Sequence, residues 1–378
     1  MILKLIMEFN LIYFRISIIL MINNMVININ DIKEIVKEIR SVVKIVYGNN
    51  IPEQYSVINI VAKQGYLILT GATIETIIRK KIVVTNNKEF SGEAVLPIEE
   101  LYKTVLAFTN DVNIEFKKKY VLFSQKKIKY KIFKLFDIPV VDYDKNISKQ
   151  YEVDFNIKLA LDKLKSFCFN KNIKKILTYV RFYNRNNEAW AVATNGHKIA
   201  GFKLSDTALP FEFLLNPQTP IDDIDKITIA QSSAFFVFIS DSKIVYHRKF
   251  EENDYPDIDR IVDQKLNHYF EFDRNNIYYS MSIAKKLMGN DVMFSFEIND
   301  NIKITASNPE KVSASYEDTI AVIDKDIEVN ASFSSIVFFD VVKLLDIKTI
   351  KMQHDTRFFI HKESDIFVGS MSLNITGG

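Results

Sequence analysis

The chain has 378 residues, 49 Lys and Arg against 47 Asp and Glu, and a formal net charge of +2. At about 150 residues per domain this length predicts two or three domains, and 48% hydrophobic with 25% charged residues excludes disorder over the bulk of the chain. One cysteine excludes a disulfide framework or cysteine-rich metal centre, five scattered histidines offer no metal cluster, and the near-balanced charge argues against a protein that holds nucleic acid mainly by global attraction.

Residues 1–24 form an apolar leader, distinct in composition from the rest of the chain. Lys4 gives a weakly basic start, but no small-residue cleavage site accompanies it. Lys4, Glu8 and Arg15 interrupt the run, and the charge-free stretch Ile16–Ile29 is too short to span a bilayer. An upstream extension outside the fold, a targeting or membrane segment and a partner-binding amphipathic segment all fit; the fold is expected to start near Met25.

From there a short alternating strand ending in Asn, Asp or Pro, followed by a helical pattern, recurs six times. The copies start at Val26, Ala94, Tyr151, Glu212, Phe270 and Ile327, 57 to 68 residues apart. The terminal Asn or Asp predicts an N-cap for each helix. Runs rich in Val, Ile, Tyr, Phe and Thr come after the helices: Val57–Ala62, Tyr66–Thr70, Val180–Tyr183, Ala189–Thr194, Ala234–Ile239, Val292–Ile298 and Ile302–Thr305. The unit is one strand, one helix and three strands. A second similarity, around Thr70, Thr194 and Thr305, recurs after 124 and 111 residues, so units pair into three similar domains, 25–147, 148–267 and 268–378.

The first helix pattern places Ile32, Ile35, Val36, Ile39, Val42, Val43 and Val46 on one apolar stripe and Lys33, Lys37, Arg40 and Lys44 on a separate face. Later helices add Lys103; Lys158 and Lys165, followed by Lys171, Lys174 and Lys175; Arg274, Lys285 and Lys286; and Lys343. Such faces are either merely solvated or together a surface that touches phosphates without reading bases.

Three stretches carry a family resemblance. Ala193-Thr-Asn-Gly-His-Lys-Ile-Ala200 resembles the A-T-D-G-H-R-L-A segment of bacterial sliding clamps, the β subunits of DNA polymerase III. Tyr255-Pro-Asp-Ile-Asp-Arg-Ile261 is similar to their F-P-D-Y-x-R-[VI] segment, and Ile302-Lys-Ile-Thr-Ala-Ser-Asn-Pro-Glu310 to L-K-I-T-A-x-N-P-E. Leu69–Glu75 and Gly92–Pro97 add weaker matches. The resemblance implies an α+β DNA clamp fold of three similar domains, each two βαβββ-type units, with helices lining a ring and sheets outside. It implies a non-catalytic processivity factor without cofactor or metal, acting in the cytoplasm. Its partners would be double-stranded DNA bound without sequence preference, the DNA polymerase catalytic subunit, a clamp loader and a second copy in a head-to-tail homodimer. The partner-peptide pocket carried over residue by residue is Leu177, Thr194, Gly196, His197, Lys198, Ile199, Pro256, Arg260, Ile261, Met371 and Leu373. Lys33, Lys37, Arg40, Lys44, Lys103, Lys158, Lys165 and Lys171 would face the DNA.

The chain departs from the family at several points. Lys198 replaces an Arg and loses its bidentate geometry. Tyr179 stands where Gly is frequent, and Met371-Ser372-Leu373 replaces a terminal M-P-M. The fourth helix, Gln218–Ile224, contains Pro220, and Ser282–Val292 is compressed. His197 fits either a structural turn or a partner contact, and Arg260 either the pocket or a pair with Asp257 or Asp259. A phage- or plasmid-type clamp remains open; an enzyme built on His197, Asp254, Asp257 and Asp259 and a membrane-anchored interaction protein have less support.

Overall fold

The computed structural model describes residues 24–371 apart from 64, 85–90, 139–145, 170–171, 251–254, 267, 290–291, 309–314, 326–330, 336–337 and 355–357. Residues 1–23 of the leader, Lys171, Asp254 and Leu373 therefore lie outside the described residues, and Asn24, counted in the leader, already belongs to the first strand.

The chain opens with β1 (Asn24–Asn28), α1 (Ile29–Tyr47), β2 (Val57–Lys63), β3 (Tyr66–Ala72), β4 (Thr76–Val83) and β5 (Gly92–Pro97). It continues through α2 (Ile98–Ala107), β6 (Asp111–Phe116), β7 (Tyr120–Gln125), β8 (Ile128–Phe133), β9 (Tyr151–Val153) and α3 (Ile157–Leu164). Next come β10 (Val180–Arg185), β11 (Glu188–Thr194), β12 (Lys198–Ser205), β13 (Phe213–Leu215), β14 (Ile227–Gln231), β15 (Phe235–Ile239) and β16 (Lys243–Arg248). The last part holds α4 (Ile258–Val262), β17 (His268–Asp273), α5 (Arg274–Met288), β18 (Met293–Ile298), β19 (Asn301–Ser307), β20 (Ser315–Lys325) and β21 (Ala331–Ser335). It ends with α6 (Phe338–Leu344), β22 (Thr349–His354), β23 (Phe358–Lys362) and β24 (Ile366–Met371).

These elements form two compact units. The first holds the chain up to Val153 with Gln218–Asp222 and Lys226–Lys249; the second holds Asp154–Pro217, Asp223–Asp225 and the chain from Phe250. The first unit contains a four-stranded sheet, β1-β6-β7-β8, and an eight-stranded sheet, β5-β2-β3-β4-β16-β15-β14-β9. The second contains one twelve-stranded sheet, β13-β10-β11-β12-β24-β23-β22-β17-β20-β19-β18-β21.

Side-chain periodicity explains the layering. In α1 the inward positions Ile29, Ile32, Ile35, Val36, Ile39, Val42 and Val43 are buried, each contributing roughly 1.5–3 kcal/mol of transfer free energy. They share a core with Val112, Ile114 and Phe116, the alternate residues of β6, and with Val121, Phe123 and Ile132 of β7 and β8. Val46, expected on the stripe, is 40% exposed. At the last turn Tyr47 takes the inward position instead, packing on the core and stacking on Tyr55 at 5.2 Å.

The predicted caps form where polar side chains end the strands. Asn28 accepts from the Asn30 amide, Asn156 from Leu159 and Asp273 from Asn275 and Asn276. The expected fourth helix, Gln218–Ile224, is absent: residues 216–226 are turns and irregular backbone. Pro217 and Pro220 remove amide donors three residues apart, and Asp222 instead pairs with the buried Lys243 at 2.5 Å. The sixth helix is shorter than expected. Ala331–Ser335 is strand β21, paired with β18, and the helix covers only Phe338–Leu344. One helix was not foreseen: Ile258–Val262 forms a single turn capped by Asp257, which accepts from the Arg260 amide.

Candidate nucleic-acid interface and partner pocket

The basic face of α1 is less positive than its sequence. Arg40 makes two hydrogen bonds to Glu99, Nε to Oε1 at 2.9 Å and Nη2 to Oε2 at 3.1 Å, and lies over the Tyr102 ring at 4.2 Å. Lys44 reaches the same carboxylate at 3.3 Å. Glu99 sits in the first turn of α2, so the contact ties two helices of the first unit together across their polar edges. The Arg40 hydrogen bonds, more than the Lys44 contact, hold the Glu99 carboxyl below the usual carboxylate range against the opposing effect of burial. Its contribution to the α1–α2 contact is therefore complete above the unfolded-state carboxylate pKa and lost as pH falls through the lower folded value.

Lys37 and Lys103 are exposed and Lys33 is half-buried, and none of the three has an ion-pair partner among the described residues. On α3 in the second unit, Asp162 pairs with Lys158 at 2.7 Å and with Lys165 at 3.7 Å. Arg274 is used structurally, its Nε donating to the Leu345 carbonyl at 2.9 Å beyond the end of α6. The sequence missed Glu99 as a governor of this face; its position in the first turn of α2 was the available signal. Replacing Glu99 with Gln is expected to free Arg40 and Lys44 for phosphates, raising non-specific duplex affinity several-fold and steepening its salt slope by up to about 1.8. Fluorescence titration of a duplex across salt concentrations checks this.

The ten described pocket candidates all lie in the second unit, on four segments: the stretch before β10, the β11–β12 turn, α4 with its approach, and the end of β24. Thr194 Oγ1 donates to the Lys198 carbonyl at 2.8 Å and accepts from the Gly196 amide at 3.1 Å. Asn195 Oδ1 accepts from the amides of His197 and Lys198, both at 3.0 Å, and Gly196 supplies the left-handed φ of +85°. The His197 carbonyl in turn accepts the Met371 amide at 2.7 Å, and Ile199 lies opposite Gly369 in the β12–β24 ladder. Ile199 and Ile261 belong to one apolar cluster.

Tyr255 fastens α4 to the sheet, its hydroxyl donating towards the carbonyls of Tyr179 and Val192, both at 3.3 Å. Burial raises its pKa well above the ordinary value. Tyr179, replacing the family's frequent Gly, is fully buried and meets the Phe250 ring at 4.7 Å.

Two layers result. Leu177, Thr194, Lys198 and Ile199 are buried and form the foundation, while Gly196, His197, Pro256, Arg260, Ile261 and Met371 reach solvent wholly or in part. The His197 backbone holds the turn and its ring is exposed. The Lys198 ammonium turns inward, pairs with Asp340 on α6 and lies over the Phe167 ring at 5.1 Å. Asp257 and Asp259 are engaged structurally, the first as the α4 cap and the second accepting from Tyr183 Oη at 2.9 Å and pairing with Arg185 at 3.5 Å. Arg260 has no ion-pair partner among the described residues.

A cleft of about 580 Å3 lies at the far end of β10 and β11, lined by Arg185, Glu188, Trp190, Val262, Leu266 and Phe367 among others. None of the predicted pocket residues lines it.

The sheet order and the paired joints β4–β16 and β12–β24 fit the DNA sliding-clamp fold. Comparison with solved structures bears out that reading. DNA polymerase III subunit beta from Pseudomonas aeruginosa superposes with a TM-score of 0.78 at 16% identity, covering 93% of this chain and 100% of that one. The DNA polymerase sliding clamp from Bacillus subtilis gives 0.78 at 17% identity, covering 93% and 99%, and Caulobacter crescentus pol III beta gives 0.80 at 15%, covering 93% and 100%. No family model matches the sequence. No curated protein matches it. Among the described residues no helix is long and apolar enough to cross a membrane.

Proposed function

We propose that this chain is a DNA sliding clamp: two copies joined head to tail enclose duplex DNA and tether a polymerase, without catalysing a reaction. The observation that carries this reading is an arithmetic of sheet edges. The three predicted domains, 25–147, 148–267 and 268–378, have equivalent joints at β4–β16 and β12–β24, where the last strand of one domain pairs with a strand of its predecessor. The same scheme leaves over the outer edge of β8, the last strand of the first domain, and the edge of β20 that faces away from β19 along Ser315–Ala321, where among the described residues no strand pairs. One unpaired edge of each kind is what a heterologous interface requires, and such an interface gives a ring when the rotation closes.

In that ring Lys33, Lys37 and Lys103, with Lys158, Lys165 and Lys171, would face the DNA, with Arg40 and Lys44 moderated by Glu99. The duplex would be held without base readout. The exposed pocket layer, with Leu373, would take short apolar segments of a polymerase and of a clamp loader. Lys198, Thr194, Leu177 and Ile199 would act as its support. The site of action would be the cytoplasm.

The edges are testable because β8 exposes apolar side chains, Ile128 at 61% and Tyr130 at 48%. The unaltered protein should sediment as a dimer. Ile128→Glu with Tyr130→Glu should dissociate it at least tenfold more readily while circular dichroism remains native; an unchanged dimer would reject this joint. For the pocket, Ile261→Ala with Met371→Ala should weaken a fluorescent apolar polymerase peptide about tenfold, or 1.4 kcal/mol, and leave sedimentation unchanged. Equal peptide affinity in both proteins would remove these residues from the pocket.

A further inference from the structure

The near-balance of charge conceals one concentrated feature. Between Lys117 and Lys134 there are eight lysines and no Asp or Glu, and without them the chain carries 41 Lys and Arg against 47 Asp and Glu. A protein that is net acidic elsewhere places its surplus positive charge on the β6–β7–β8 hairpins of the first unit.

Strand register assigns two of these lysines to a face, and the turns at either end of β7 carry four more. Val121 lies opposite Ile132, and both are buried in the core under α1 and α2. Their neighbours Lys131, opposite Leu122, and Lys129, opposite Ser124, therefore stand on the side of the sheet away from the helices. Two aromatic residues share that side: the Tyr120 ring lies 4.9 Å from the Lys131 ammonium and meets Phe133 edge-on at 6.1 Å. Phe133 is 63% exposed. Among the described residues Lys118, Lys119, Lys126, Lys127, Lys129 and Lys131 have no ion-pair partner, and all six are exposed.

The turn into β8 gives an independent sign. Lys126 adopts a left-handed φ of 53° at the first position of its two-residue hairpin turn, the place that Asn186 takes in the β10–β11 turn. A lysine there gives up the local ease of Asn or Gly and keeps a cation at the hairpin tip.

We infer that this face is a second nucleic-acid surface, separate from the helix faces, and that its ligand is single-stranded DNA. The lysines would follow the phosphates, while Phe133 and Tyr120 would offer ring faces to unpaired bases, a combination that duplex DNA cannot use because its bases are stacked inside. The inference goes beyond the proposed ring: the backbone edge of β8 lies in the plane of the sheet, and these side chains stand perpendicular to it.

Fluorescence anisotropy of labelled oligothymidylate with the full chain across a salt series tests this. Lys129→Ala with Lys131→Ala should lower affinity at least tenfold and flatten the salt slope by about 1.4. Phe133→Ala should lower affinity with the slope unchanged, because stacking releases no counterions. Lys33→Ala with Lys37→Ala should weaken duplex binding and leave oligothymidylate binding intact, which separates this surface from the helix face. Oligothymidylate affinity unchanged in both hairpin variants overturns the inference. So does a result in which the lysine variant alters only sedimentation, since the hairpin would then be an electrostatic seam for the acidic Glu317 and Asp318 of a second copy.

Discussion

Loaded onto a nicked circular duplex, the protein is expected to stay bound in high salt and to be lost when one cut linearises the DNA. The charge on the proposed lining makes this outcome demanding. Lys33, Lys37 and Lys103 are the lysines of the first unit's helices without ion pairs among the described residues. Three phosphate contacts per copy give each copy a slope of about −2.7, so a tenfold rise in salt weakens the open binding of even one copy by about 500-fold. Only enclosure holds a protein on DNA through that change, because escape then requires breaking a protein interface or reaching a DNA end. Retention after gel filtration of circular and linearised complexes reads the difference. Equal loss from both forms rejects the ring, and equal retention on both points to ordinary electrostatic binding stronger than the helix faces account for.

The second large effect is on stability. Lys198 is 6% exposed and pairs with Asp340. Asp340→Ala should destabilise the protein by about 3–5 kcal/mol, because it leaves an ammonium in the interior without its counter-charge. Lys198→Met with Asp340→Leu should recover most of that loss, since replacing both members of a buried pair by apolar groups is often neutral or favourable. Urea unfolding of the single and double variants measures both. If the double variant is as unstable as the single, the loss comes from packing on α6. Since the ammonium points inward, the double variant should also retain polymerase-peptide affinity; a large loss would show that Lys198 reaches the partner.

The repeat made much of the fold legible. The β-type runs Val57–Ala62, Ala189–Thr194 and Ile302–Thr305 became β2, β11 and β19, and Asn28, Asn156 and Asp273 became helix caps, because these signals are local and act within a few residues. The errors fell where local signals competed. Pro217 and Pro220 defeated the fourth helix, and pairing of Ala331–Ser335 with β18 took residues from the sixth. At the candidate site, sequence spacing located the β11–β12 turn and Tyr255–Ile261, yet exposed and foundation residues looked alike. Ile199 and Ile261 are both apolar, but one is 2% exposed and the other only partly buried, a difference set by distant β24 and α4.

By itself the sequence determined where most strands run, where the helices capped by Asn28, Asn156 and Asp273 start, and that 49 positive charges face 47 negative ones. The tertiary structure decided what those charges do. Arg40 and Lys44 meet Glu99 only because α1 and α2 pack together, Lys198 is interior only because α6 brings Asp340 to it, and Lys129 and Lys131 face away from the helices because Val121 and Ile132 must be buried. Pairing between charges distant in the chain depends on which elements come within a few ångströms, and no local pattern of residues encodes that.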